Sequence, residues 1–190
     1  MGFDKAELAS FRDVEVPDLL PDEPTELRLL FVGINPGLWT AAVQTHFAHP
    51  VNRFYPALLR AGILDEPVDP SAGMTDADRE RFRARGLGIT NLAPRATAKA
   101  SELTAAELRE GGLRLRRLVR ARRPSVVAIL GITAYRQAFF RPKAHLGLQD
   151  DLFEGVELWV LPNPSGLNAH ETVASLAEAY LAPARAAGVL

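Results

Sequence analysis

Four short runs punctuate the chain as candidate strands: Leu27 to Val32, Gly88 to Leu92, Ser125 to Leu130 and Val156 to Leu161. The third is nearly all apolar, the pattern of a parallel strand covered on both faces. Between them lie amphipathic stretches with helical spacing. Asn52 to Ala61 carries Phe54, Leu58 and Leu59 near one stripe and stops at Gly62. Thr75-Asp76-Ala77-Asp78 has the form of an N-terminal cap for a charged helix to about Arg85. Thr104-Ala105-Ala106-Glu107 has the capping-box spacing and opens a long helix to Arg122, buried along Leu108, Leu115, Leu118 and Val119 and ended by Pro124. Gly131 turns the third run into a helix from Ile132 to Phe140, and a last helix covers Glu171 to Ala186. Residues 38–51 read as a long loop or short helix, 63–74 and 93–101 as loops, with a further short strand compatible near Leu152.

Strand and helix therefore alternate. That order predicts an α/β fold, a three-layer α/β/α sandwich around a mainly parallel four-stranded sheet, formed by one domain over residues 27–190. Residues 1–26 are an acidic lead-in with Pro17, Pro21 and Pro24. Phe3, Leu8 and Phe11 fall near one face of a short helix there. The remainder is expected to be extended, either packed on the surface or loosely ordered.

Composition narrows the chemistry. The 190 residues are 47% hydrophobic and 24% charged with net charge −1, so nothing global draws the chain to nucleic acid or anionic membrane. A DNA-binding surface has to be local. The chain has no cysteine. That excludes disulfides, thiol catalysis, cysteine-held iron–sulfur clusters and thiolate zinc sites. His46, His49, His145 and His170 show no HxxxH-type spacing, so neither a metal nor another cofactor is expected. No signal peptide and no apolar run of about 18 residues is present, and a cytoplasmic location is expected.

Two loops hold the candidate chemistry. The first strand ends in Gly33-Ile34-Asn35-Pro36-Gly37, and the last runs into Pro162-Asn163-Pro164-Ser165-Gly166-Leu167-Asn168. Turns at strand ends on one rim of a parallel sheet are where such folds place ligands, so the two loops are expected to face each other across one site. Taken alone, Asn35 is either a turn-former or a polar group aimed into that site.

Together with Phe47-Ala48-His49-Pro50-Val51-Asn52-Arg53-Phe54 between them, the two loops resemble the mismatch-specific uracil-DNA and thymine-DNA glycosylases of the uracil-DNA glycosylase superfamily. The resemblance runs from about Leu27 to about Tyr180, and Gly88-Ile89-Thr90-Asn91-Leu92 and Glu110-Gly111-Gly112 share it. It implies a cofactor-free, monomeric enzyme acting on double-stranded DNA. Such enzymes excise uracil, and in many members thymine or etheno-cytosine, from mispairs with guanine. The target nucleotide must leave the stack before its glycosidic carbon is reachable. In a prokaryote the resemblance places the protein at the nucleoid.

The resemblance also implies residue roles. Asn35 would position the attacking water; its amide accepts a hydrogen bond but takes no proton near neutral pH, so it aims rather than activates. Backbone groups at Gly37 and Leu38 would face the departing base. Phe47 would stack on it, with backbone contacts at Ile34 supplying selectivity. Asn163 would donate to the base or a phosphate, where stronger relatives commonly carry histidine. Leu167 would enter the gap left by the flipped base, while Ser165, Gly166 and Asn168 shape the wedge and meet the widowed guanine. His46 is expected to be a solvated loop residue.

No carboxylate occurs in either motif. Ala93, after the second strand, stands where an acid would help, so this chain is expected to be a slow enzyme and Asp at that position to accelerate it. A lesion-binding protein without catalysis is the alternative. A phosphate-binding enzyme would need GxGxxG or GxxxxGK[ST], and a serine hydrolase at Ser165 would need GxSxG; neither occurs. Arg53, Arg95 and Lys99 are expected near the DNA-facing mouth, and the arginines of 114–123 on a solvated helix face.

Overall fold

In a computed structural model, which describes residues 2–190, the sheet has five strands. They are β1 (Leu29–Gly33), β2 (Leu87–Asn91), β3 (Val126–Leu130), β4 (Gly147–Leu148) and β5 (Glu157–Leu161), in the spatial order β2-β1-β3-β5-β4. The pairs β1–β2, β1–β3 and β3–β5 are parallel, and β4 alone is antiparallel. The expected α/β/α sandwich is therefore observed, with one correction: five strands in place of four. The extra strand is only two residues long, and no apolar run announces it. It precedes Leu152, which is itself exposed and outside any strand.

The layers follow from the period of two along each strand. Leu29 and Phe31 of β1 point into one core with Phe54, Leu58, Leu176 and Tyr180. Leu30 and Val32 point into the other with Leu108, Leu115, Val119 and Ala134. The first core is roofed by α3 (Phe54–Arg60) and α7 (Val173–Ala186), the second by α5 (Ala105–Arg122) and α6 (Ile132–Ala138). A charged helix, α4 (Asp76–Ala84), adds Phe82 to the first core. The chain leaves β1 toward β2 on one side, then passes back beyond β1 to β3. Connections thus diverge around β1, and a crevice opens at the carboxyl ends of these strands.

The lead-in is ordered against the sheet. A short helix, α1 (Lys5–Ala9), is capped by the Asp4 carboxylate, which accepts from the Ala6 and Glu7 amides. Leu19 then exchanges both backbone hydrogen bonds with Ile89, at 2.9 and 2.7 Å. This strap covers the outer edge of β2, which would otherwise present unpaired amides and carbonyls. Burial of Val16 and Leu19 holds it in place. Among the arginines of 114–123, Arg116 and Arg120 pair with Glu154, and Arg117 with Glu110. Arg114 departs from the expected solvated face. Its guanidinium donates to the Asn91 and Leu92 carbonyls at 2.8 Å each, tying α5 to the end of β2.

Candidate active site

At the carboxyl ends of the parallel strands lies a cavity of about 640 Å³. Ile34, Asn35 and Gly37 reach it from the loop after β1, Asn91 from the end of β2, and Leu130 from the end of β3. Asn163, Ser165, Gly166, Leu167 and Asn168 reach it from the loop after β5, and His46 and Phe47 from the segment before α3. The two motif loops therefore share one space. A smaller hollow of about 330 Å³ beside Arg141 and His145 contains no residue of either loop.

Asn35 and Asn163 are held in opposite senses. The Asn35 amide nitrogen donates to the Pro36 carbonyl (3.0 Å), the Arg95 carbonyl (3.1 Å) and the Thr97 hydroxyl (2.7 Å). Carbonyls only accept, and the Thr97 hydroxyl spends its proton on the Lys99 carbonyl at 2.8 Å. The network thus assigns the nitrogen to this side and leaves the Asn35 oxygen open as an acceptor. At Asn163 the oxygen is the engaged atom, accepting from the Ser165 amide at 2.9 Å. Its nitrogen has no acceptor among the described residues and faces the bend at Gly131. One wall of the cavity offers an acceptor and the other a donor.

Phe47 is held in a left-handed backbone conformation (φ 56°), uncommon for a residue of its bulk. Its ring lies 4.2 Å from that of Phe54 at 31°, so Phe54 covers one face and the other is available to a planar ligand. Gly33 sits directly beneath: a Cβ there would stand 2.3 Å from the Asn91 side-chain oxygen and 3.2 Å from the Phe47 ring. Only glycine leaves room for both groups.

His46 corrects the sequence-based expectation. It is buried, with Nε2 2.9 Å from the Pro17 carbonyl and Nδ1 3.1 Å from the Asn91 amide nitrogen. Burial pushes its pKa below the ordinary 6.5. The lead-in supplies one partner and β2 the other, and neither is near His46 in sequence. Asn91 lies on a stretch expected at this rim, but no role was expected of its side chain, which lines the cavity. The available signal was an amide at the last position of an apolar strand, at the rim where ligands bind.

The second loop is built to hold its tip rigidly. The Arg53 guanidinium donates to the carbonyls of Ser165 (3.1 Å) and Asn168 (3.0 Å), and the Arg53 amide donates to Pro164. Gly166 packs against Val51 so tightly that a Cβ would lie 2.4 Å from its side chain. Leu167 at the tip is 85% exposed. Arg53 is thus an internal clamp, where a DNA-facing charge was expected. Replacing it with Met keeps the aliphatic stem and removes both donors. Amide exchange across 165–168 is expected to accelerate at least tenfold, with a melting temperature lower by several degrees; unchanged exchange in this loop would contradict the clamp.

Two expected site positions lie off the cavity wall. Leu38 opens α2 (Leu38–Val43) but packs on Val16, Ala41 and Ala96. Ile34 lines the cavity as expected, and its carbonyl accepts from the Ala93 amide at 2.8 Å. Ala93 is 2% exposed and its methyl stops short of the wall, although its backbone adjoins the Asn35 loop. Of the expected cations, Arg95 is consumed by Glu107 (2.5 Å) and Asp13 (2.9 Å), a contact that holds the Glu107 carboxyl at about 2. Lys99 remains on the cavity wall without a carboxylate partner among the described residues.

A solution NMR structure of a candidate uracil DNA glycosylase from Methanosarcina acetivorans is similar in fold, with TM-score 0.58 and 16% identity over 93% of this chain and 98% of that one. The model of the Uracil DNA glycosylase superfamily matches residues 20–184, a span that holds the whole sheet, both motif loops and every residue placed on the cavity wall. By that match the chain belongs to the uracil DNA glycosylase superfamily.

Proposed function

We propose that this protein is a monofunctional glycosylase that excises uracil from mispairs with guanine in double-stranded DNA by hydrolysing the N-glycosidic bond. The observation that carries the reading is the pair of oppositely oriented amides, Asn35 and Asn163, on facing walls of one cavity. Hydrolysis passes through an oxocarbenium-like sugar and an anionic base. The open Asn35 oxygen accepts from a water and aims it at the sugar carbon. The free Asn163 nitrogen donates to the base oxygen as charge develops there. Phe47 stacks on the flipped base without reading its edge. Among the described residues no Asp or Glu lines the cavity, so the attack is on a cation already largely formed, and the reaction is slow.

Leu167 is the wedge. An 85% exposed leucine at a tethered loop tip costs solvation in the free protein and finds apolar surface between base pairs. The Asn168 amide and carbonyl are engaged inside the loop, by Ser165 and Arg53, which leaves Gly166 to meet the widowed guanine. Duplexes carrying a single G·U, G·T or A·U pair, followed by alkaline cleavage at abasic sites, test the reading. Abasic product is expected with G·U before the others, and Leu167→Ala is expected to slow it about tenfold, the loss of about 1.4 kcal/mol of support for the unstacked state. The carboxylate-free wall also suits a lesion-binding protein; tight G·U binding with no abasic product from any duplex would favour it.

A further inference from the structure

His46 lies outside the chemistry assigned so far, yet it joins two distant segments inside the cavity wall. The Pro17 carbonyl can only accept, so the His46 Nε2 facing it at 2.9 Å carries the proton. In the neutral ring Nδ1 is then a lone pair. It accepts from the Asn91 amide nitrogen at 3.1 Å. That contact decides which end of Asn91 meets the cavity. The nitrogen is turned to His46, and the oxygen lies over Gly33 beside the Phe47 ring. No protein donor reaches this oxygen among the described residues, and it is not sealed from the cavity.

We propose that Pro17, His46 and Asn91 form a positioning relay, in which the lead-in carbonyl fixes the histidine tautomer and the histidine fixes the Asn91 amide with its oxygen toward the cavity before any ligand enters. The kinetic consequence rests on the glycosylase reading. The relay gives the lead-in a role at the site although it contributes no side chain to it.

The relay has a defined failure. When His46 takes a second proton, both ring nitrogens donate. Asn91 must then turn over to offer its oxygen to Nδ1, and an N–H replaces the acceptor in the cavity. The charged groups around His46 oppose one another: Asp18 of the lead-in favours protonation and Arg79 of α4 disfavours it. Tyr55 of α3 donates its hydroxyl to the His46 carbonyl and is itself buried, with its pKa pushed up. Burial is the dominant influence on His46 and keeps it neutral at pH 7. The unfolded chain binds this proton near pH 6.5 and the folded chain only at lower pH. Folding stability therefore declines as pH drops below about 6.5, down to the folded value.

The test uses the full chain labelled with ¹⁵N-histidine. At pH 7.5 the His46 resonances should show Nε2 protonated and Nδ1 bare, with a titration midpoint below 6.5. A protonated Nδ1 at that pH would overturn the relay, whether or not the protein excises uracil. The kinetic arm compares two variants in single-turnover excision from a G·U duplex. His46→Leu is expected to lose at least tenfold at pH 7.5. His46→Gln offers a donor to Pro17 and an acceptor to Asn91 and cannot titrate. It should recover most of that loss and flatten the decline in rate between pH 7.5 and 5.5. A glutamine variant as slow as the leucine one, or one that keeps the wild-type acid decline, would also overturn it. Absence of excision by the wild-type chain would instead count against the glycosylase reading alone, leaving the tautomer to decide the relay.

Discussion

Asn35→Ala is expected to slow single-turnover uracil excision by about 10²-fold or more, the usual penalty for losing the group that orients an attacking water. The expectation depends on orientation rather than on the presence of an amide. Three acceptors from three chain positions hold the nitrogen, at Pro36, Arg95 and Thr97, so the oxygen has one direction in which to point. Because the group acts on the water, the loss should fall on the chemical step. Affinity for a G·U duplex, measured separately by fluorescence anisotropy, should stay within about threefold. Truncation leaves the Arg95 carbonyl and the Thr97 hydroxyl oxygen without this donor, while the Pro36 carbonyl keeps the Thr97 amide; water can replace the lost amide at the cavity edge, so the stability loss should be about 1–2 kcal/mol. A variant that excises uracil within threefold of the wild-type rate would remove Asn35 from the mechanism.

Ala93→Asp is expected to act in the other direction, raising the single-turnover rate by about 10²-fold, within the range a positioned general base supplies. The Ala93 amide is bonded to the Ile34 carbonyl, one residue before Asn35. The methyl itself is buried short of the cavity, and a carboxylate extends further from the same backbone. It would add the carboxylate that the cavity wall lacks among the described residues. The site is apolar, with Leu92 and Ile34 among the neighbouring groups, so burying the carboxylate should cost about 1–3 kcal/mol. For a chain of this size that is a melting temperature lower by about 2–4 °C per kcal/mol. Arg114 donates to the carbonyls of the two preceding residues and brings a cation to this stretch of backbone that moderates the cost. The informative result is therefore a faster and less stable enzyme. A folded variant with an unchanged rate would show that position 93 does not communicate with the reacting water.

Much of the architecture is legible in the chain because burial leaves a local trace. Strands covered on both faces are mostly apolar, so β1 and β3 stand out as uninterrupted runs, and β2 and β5 as shorter ones broken by Thr90, Asn91 and Glu157. The capping boxes at Thr75 and Thr104 are equally local, since each uses residues three apart. β4 escapes because two residues at a sheet edge need no apolar signature. The lead-in escapes for a related reason: backbone pairing of Leu19 with Ile89 uses groups that every residue possesses.

The candidate site divides along the same line. That Asn35 and Asn163 sit in turns after strands is a property of the sequence, and parallel topology then requires both turns at one rim. Which atom of each amide faces the cavity depends on acceptors and donors supplied from elsewhere. Asn35 is oriented by Arg95 and Thr97, and Asn91 by a histidine that Pro17 has already polarised. The same holds for the cations. Arg53 and Arg95 look alike as basic residues near a motif, yet one clamps a loop and the other is neutralised by Glu107 and Asp13. By itself, then, the sequence determined the α/β layering, the two loops and the inventory of polar groups, because periodicity and turn chemistry act over a few residues. Only the tertiary structure decided which end of each amide is open and which charges are free, because a hydrogen bond's direction is set by the partner that folding brings to it.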